Sequence, residues 1–240
     1  MPHLNRLRSV LHHVSPYRAS MSTIHNTNAA CCSIPPVKHD YTPHGAYKSY
    51  GDFKKVYITG PDNASSKSAI VCAYDIFGFF PQTQQGADIL ATALNTRVYM
   101  PDFFEPASPF PPSKYPPKTE QDNADIQAFF GGPASPTVNT EKLLAFGKAL
   151  RGEGIDRIGA YGFCWGGKIA IRAGGPSTPF SSVAMVHPAM MSVQDAETLT
   201  VPVGIYISKD EPISEYNKMV DVVSEKSFAS QCDNKVYPNM

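Results

Sequence analysis

The 240-residue chain reads as α/β, a doubly wound and mostly parallel sheet in one domain. Three observations predict this. Short apolar runs alternate with stretches of helical period from Gly45 onward. The run Arg157-Ile-Gly-Ala-Tyr161 leads directly through a glycine-rich turn, Gly162 to Gly167, into a helix. No internal repeat or linker interrupts the alternation. The length suits one such domain with a well-buried core.

The elements follow in order. Residues 46–50 and 54–59 predict a hairpin around Gly51-Asp52. Residues 69–74 are a continuous apolar run, as a buried parallel strand requires. Residues 82–94 carry Ala87, Leu90, Ala91 and Leu94 at helical spacing, and 97–100 is a strand. Seven prolines between Pro101 and Pro117 make that segment a loop. Helices are predicted at 121–130 and 141–150, the second placing Leu143, Phe146, Gly147 and Leu150 on one face. The helix after the elbow strand covers 168–173, and strands follow at 183–187 and 203–208. Ser214 is the expected N-cap of a helix striped by Tyr216, Met219, Val220 and Val223. Residues 235–237 read as a last strand.

Composition narrows the partners. With 21 basic and 21 acidic residues the formal net charge is zero, which argues against nucleic acid or an anionic membrane as main partner. No run approaches the ~18 apolar residues of a membrane span. Five scattered cysteines, at 31, 32, 72, 164 and 232, suit an intracellular protein rather than a disulfide framework. Residues 1–30 are expected to be a disordered extension ahead of a domain at 31–240. This start has no acidic residue before Asp40 and carries Arg6, Arg8 and Arg18 among Leu4, Leu7, Val10, Leu11 and Val14. Such a composition fits a mitochondrial transit segment, the alternative to a cytoplasmic location; an unstructured tail or an internal start at Met21 fits equally. Cys31-Cys32 with His39 and His44 matches no metal-ligand spacing, so no metal is expected.

The chemistry centres on Gly162-Phe-Cys-Trp-Gly-Gly167. A strand turning sharply into a helix, with small residues around one reactive side chain, is the nucleophile elbow of α/β-hydrolases, with Cys in place of Ser. Cys164 then sits at a helix N-terminus, where the macrodipole favours thiolate. A buried structural cysteine beside a glycine-rich turn is the competing reading of the bare pattern. Reactive groups belong at the carboxyl ends of strands, which singles out Asp75 after the 69–74 run and Asp210 after the 203–208 run. Asp210 follows the nucleophile in chain order, as a triad acid should, its alternative being an Asx-turn ahead of Pro212. Backbone N–H groups of Ile76 and Trp165 are the expected oxyanion-hole donors, each worth about 3 kcal/mol of transition-state stabilisation. Phe77, Phe79 and Phe104, with Phe80, Phe103 and Trp165, are candidates for an apolar acyl pocket, half of them expected in the core. The reading requires an accessible sulfur facing two amide hydrogens.

Gly162-Phe-Cys-Trp-Gly-Gly167, Asp75-Ile-Phe-Gly78, Pro101-Asp-Phe-Phe104 and Lys209-Asp-Glu-Pro212 together resemble the dienelactone hydrolase family, and more closely its fungal branch, whose members often carry a paired cysteine as at Cys31-Cys32. The resemblance covers roughly residues 31–240. It implies a single α/β-hydrolase domain with a Cys–Asp–His triad that hydrolyses dienelactones or other small esters without a cofactor, as a monomer or weak homodimer. It makes Cys164 the nucleophile, Asp210 the triad acid, and Ile76 and Trp165 the oxyanion donors. Asp75 falls where the family has a glutamate that holds the cysteine, one methylene longer. The family's substrate-carboxylate-binding arginine follows the Pro-Asp-hydrophobic segment, whereas here Glu105-Pro106 follows and no arginine lies between Arg97 and Arg151, which weakens the case for an anionic dienelactone as substrate.

The family's histidine lies in a His-Gly-Phe stretch after the final strand. Here Val236-Tyr-Pro-Asn-Met240 resembles the residues just before it, and no histidine follows His187. The expectation is a C-terminally shortened family member, impaired in turnover, with apolar sheet surface exposed where the last helix would pack. His187, placed before the acid in chain order, is expected to be structural or part of a pocket wall. A non-catalytic small-molecule binder or interaction remnant of the same fold is the alternative function, and a redox sensor built on Cys164 the third.

Overall fold

The computed structural model describes residues 40–62 and 67–239. Residues 1–30 and the Cys31-Cys32 pair lie outside the described residues.

Among the described residues eight strands form one sheet, in spatial order β1-β2-β4-β3-β5-β6-β7-β8. The hairpin is β1 (Ala46–Tyr50) and β2 (Phe53–Thr59), and β2 runs antiparallel to β4 (Arg97–Pro101). All remaining neighbours pair in parallel: β3 (Ser68–Ala73), β5 (Arg157–Cys164), β6 (Ser182–Pro188), β7 (Val203–Ser208) and β8 (Asp233–Tyr237). This is the mostly parallel, doubly wound α/β arrangement of the hydrolases, with an antiparallel hairpin at one edge.

Among the described residues six α-helices connect the strands: α1 (Pro81–Leu94), α2 (Glu120–Gly131), α3 (Pro136–Gly152), α4 (Trp165–Ala173), α5 (Val193–Glu197) and α6 (Ile213–Ser224). Thr119 starts α2 with a capping box: its side chain accepts the Asp122 N–H while the Asp122 carboxylate accepts the Thr119 N–H. Helix α3 begins earlier than residue 141. Pro136 opens it, and the Asn139 amide nitrogen donates to the carbonyls of Pro133 and Ser135 while the Thr140 hydroxyl donates to that of Pro136, instead of breaking the helix. Helix α6 is capped by Pro212, so Ser214 lies inside the first turn and is not the N-cap. The five-residue α5 leaves too little periodicity to be read from sequence.

Helix α4 is the buried centre, with Ile169, Ala170, Ile171 and Ala173 fully covered between the sheet and α3. The other sheet face carries α1, and beside it runs an open groove of about 750 Å³ lined by Leu90, Leu94, Ile70, Tyr161, Val186 and Tyr206.

Candidate active site

The site assembles where β3, β5, β6 and β7 end. Strand β5 runs through Phe163 to Cys164, and α4 starts at the next residue. The turn between them forces Cys164 to φ 51° and ψ −115°, a backbone conformation that L-residues avoid. Two glycines make it feasible. A Cβ on Gly162 would stand 2.1 Å from the Gly166 carbonyl, and one on Gly166 would stand 2.1 Å from the Ala73 carbonyl oxygen. The helix start is thereby pressed against the ends of both β5 and β3, and the Cys164 side chain is presented at the nine-residue helix's positive end.

Residue Cys164 is nonetheless only 6% exposed. The accessible sulfur that the sequence reading requires is corrected: the fold largely covers this residue. Neighbouring Trp165 is fully buried, its indole N–H donating to the Ala134 carbonyl. As the first residue of α4, Trp165 also carries one of the backbone N–H groups that a helix leaves without an intrahelical acceptor.

Strand β3 pairs with β5 in register from Ser68–Arg157 to Ala73–Gly162, so the loop that follows Ala73 leaves the sheet beside the elbow. In that loop Asp75 folds back: its carboxylate accepts the Phe77 N–H at 2.8 Å, and its carbonyl accepts the Gly78 N–H. This Asx-turn, closed by Gly78 at φ 77°, shapes the segment bearing Ile76. Ile76 is buried, and its carbonyl accepts the Phe110 N–H from the proline-rich loop.

The three phenylalanines separate. Phe104 is a core residue and not an open pocket wall: its ring centroid lies 4.8 Å from that of Trp165 and 5.0 Å from that of Phe129. Phe79 is half-buried between Tyr47 and Tyr74 with Lys55 over its ring, which turns it toward the hairpin. Phe77, half-buried, meets Tyr115 edge-on and Phe80 at 5.7 Å.

Asp210 follows β7 as expected, half-buried, its N–H donating to Ser208 Oγ at 3.2 Å. The adjacent Glu211 is the residue that sequence reasoning missed. Its side chain is 0% exposed, with Oε1 2.5 Å from His187 Nδ1 and Oε2 accepting the Ser208 N–H. His187 stands at the carboxyl end of β6 in a left-handed conformation, φ 49°, where the pairing with β5 shifts so that Cys164 faces Pro188. Its ring is 38% exposed and borders a cavity of about 400 Å³ with Val186, Tyr206, Ile207, Ser208 and Tyr237, the pocket-wall position expected of it. The only sequence signal for Glu211 was its place beside Asp210.

Two pKa directions frame the site. Burial pushes the Cys72 thiol up to about 12, so this second cysteine of the central strands is held as a thiol. Under α4, Lys168 donates to Asp195, whose carboxyl is raised above its ordinary value because burial outweighs the lysine's attraction. Among the described residues no group of three or more His, Cys, Asp and Glu stands together as a metal site, and no helix is long and apolar enough to cross a membrane.

The arrangement has close counterparts. An uncharacterised AIM2 family protein of Schizosaccharomyces pombe is 37% identical over 159 residues, which is 65% of this chain and 61% of that protein. That match spans less than two thirds of the relative's own length. A second AIM2 family protein of the same yeast is 31% identical over 193 residues, covering 77% of this chain and 75% of the relative. The crystal structure of a putative dienelactone hydrolase from Klebsiella pneumoniae superposes with a TM-score of 0.59 at 19% identity, over 82% of this chain and 86% of that one, a likeness of fold. The model of the dienelactone hydrolase family matches residues 55–239, from β2 through the end of β8 and including the elbow, the Asp75 loop and the Asp210 loop. The chain therefore belongs to the dienelactone hydrolase family, and is a hydrolase-type α/β protein with fungal relatives.

Proposed function

We propose that this chain is a cysteine-dependent hydrolase of small uncharged carboxylic esters or lactones. The observation that carries the reading is the strained Cys164, φ 51°, set between β5 and α4 by two glycines that tolerate no Cβ. Such strain persists only where the surroundings enforce it, and it concentrates at functional sites.

In the proposed reaction the Cys164 thiolate attacks the carbonyl carbon and a C–S bond forms. The oxyanion is held by the Ile76 and Trp165 N–H groups. The C–O bond to the leaving group then breaks, the leaving oxygen takes a proton, and water hydrolyses the thioester to release acid and thiol. The proton for the leaving oxygen comes from solvent water, whose hydroxide then attacks the thioester, and Asp210, the carboxylate that follows β7, orients that transfer. The close cover over Cys164 favours small substrates.

The test is acylation. The chain is incubated with p-nitrophenyl acetate or a γ-lactone, and the products are read by intact-mass and peptide mass spectrometry. An acyl thioester on Cys164, absent in Cys164→Ala, is expected. Saturable binding of the lactone with no adduct at Cys164 overturns the hydrolase and leaves a small-molecule binder on the same fold.

A further inference from the structure

Resting on that reading, we propose that Glu211 and His187 are positioning residues: a clamp that fixes the Asp210 loop to the end of β6, and through β6 to the nucleophile elbow. The loop Ser208-Lys209-Asp210-Glu211 is tied to itself twice. The Ser208 N–H donates to the Glu211 carboxylate, and Ser208 Oγ accepts the Asp210 N–H at 3.2 Å. The second oxygen of Glu211 crosses to the neighbouring strand and meets His187 Nδ1 at 2.5 Å. Two residues further on, just past the end of β6, the Ala189 N–H donates to the Cys164 carbonyl at 3.0 Å. One short segment, His187 to Ala189, thus holds the acid-bearing loop with its first residue and the nucleophile's backbone with its last.

The chemistry of the link fits this role. A carboxylate with no exposure is retained only when its oxygens are bonded, and Glu211 has a backbone N–H on one and a ring nitrogen on the other. His187 adopts φ 49°, a conformation costly for most side chains and tolerated by Asn and Asp. The register shift there departs from regular pairing, and it places the ring where Glu211 can take it. Among the described residues, the hydrogen bond that holds Asp210 is the one from its own N–H to Ser208 Oγ, so its place relative to Cys164 is inherited from its neighbour.

His187→Asn and His187→Asp test the clamp, since both side chains suit a left-handed backbone. Asn presents an N–H where Nδ1 stood; Asp presents a second carboxylate to the buried Glu211. Two readouts are followed in the full chain: hydrogen exchange at the Ser208 amide, and kcat and KM for p-nitrophenyl acetate. In His187→Asp the Ser208 amide is expected to exchange faster by roughly tenfold or more, the loss of one charge-assisted hydrogen bond. Its kcat should fall by about 100-fold, as for an ångström-scale misplacement, with KM nearly unchanged. His187→Asn should recover most of both, and Glu211→Ala should reproduce His187→Asp. Equal protection and equal kcat in all variants overturn the clamp. So does a His187→Asn chain that keeps Ser208 protected yet is as slow as His187→Asp, because His187 would then move protons. A wild-type chain that forms no thioester sinks the hydrolase reading while the exchange measurement still judges the clamp.

Discussion

Gly166 fills the space where Gly162 would carry a side chain: a Cβ on Gly162 would lie 2.1 Å from both the carbonyl carbon and the oxygen of Gly166. The contact is backbone against backbone, so no side-chain rotation relieves it. Gly162→Ala is expected to destabilise the chain by at least about 3 kcal/mol, the upper range for an overpacked core, and to deplete soluble protein. Gly86 is the control. It lies in α1 with nothing within 4 Å of its missing Cβ, and Gly86→Ala should stabilise by about 1 kcal/mol through helix propensity. Urea melts of the two variants check both signs; a Gly162→Ala chain melting like wild type would refute the elbow geometry.

Asp88 joins the start of the described chain to the sheet. Its carboxylate accepts Tyr41 Oη and Tyr57 Oη at 2.7 Å each and the His44 N–H at 2.9 Å, and it is only 4% exposed. Burial raises its pKa, but the bonds from the His44 amide, Thr59, Tyr57 and Tyr41 outweigh it and leave the carboxyl below its ordinary value. A lowered pKa in the fold means stability that is present above the unfolded value near 4 and lost as pH falls through the folded value. Asp88→Asn is therefore expected to cost about 2 kcal/mol at pH 7, with the gap to wild type narrowing below about pH 4. Thermal melts across pH 3–7 measure it, and a constant gap would refute the linkage.

What the sequence made legible was local. Apolar runs located seven of the eight strands to within a residue or two at each end, and Gly162, Gly166 and Gly167 announced the elbow because their spacing is itself the steric requirement. What stayed hidden depends on contacts between distant residues. Glu211 meets His187 across 24 positions and through a register shift that no periodicity encodes. Phe104 and Phe77 look alike as letters; only the stacking of Phe104 between Trp165 and Phe129 makes it core.

Cys72 and Cys164 occupy adjacent central strands with opposite expected reactivity. Burial holds the Cys72 thiol protonated up to about pH 12, whereas Cys164 caps a helix. In native protein carrying Cys232→Ser, iodoacetamide at pH 8 is expected to label Cys164 and spare Cys72 until denaturant is added. Peptide mapping after timed quenching reads the order. Labelling of Cys72 in step with Cys164 would mean that the elbow confers no thiolate character.

Lys168 and Asp195 join α4 to α5, with side chains only 13% and 12% exposed. The raised pKa of Asp195 shows that burial costs this carboxylate more than its partner returns, even with the lysine bonded to it. Removing one member strands the other: Lys168→Met or Asp195→Leu alone should cost about 3–5 kcal/mol. The double replacement restores an apolar contact of similar volume and should fall within about 1 kcal/mol of wild type or above it. The sign for pH follows from the direction of the shift. A carboxyl whose pKa is higher in the fold than in the unfolded chain opposes folding once pH passes the unfolded value, so the Asp195→Leu penalty should shrink, not grow, from pH 4 to pH 7. Chemical denaturation of the two single variants and the double variant at both pH values closes the cycle; additive losses in the double would show that the pair is no coupled unit.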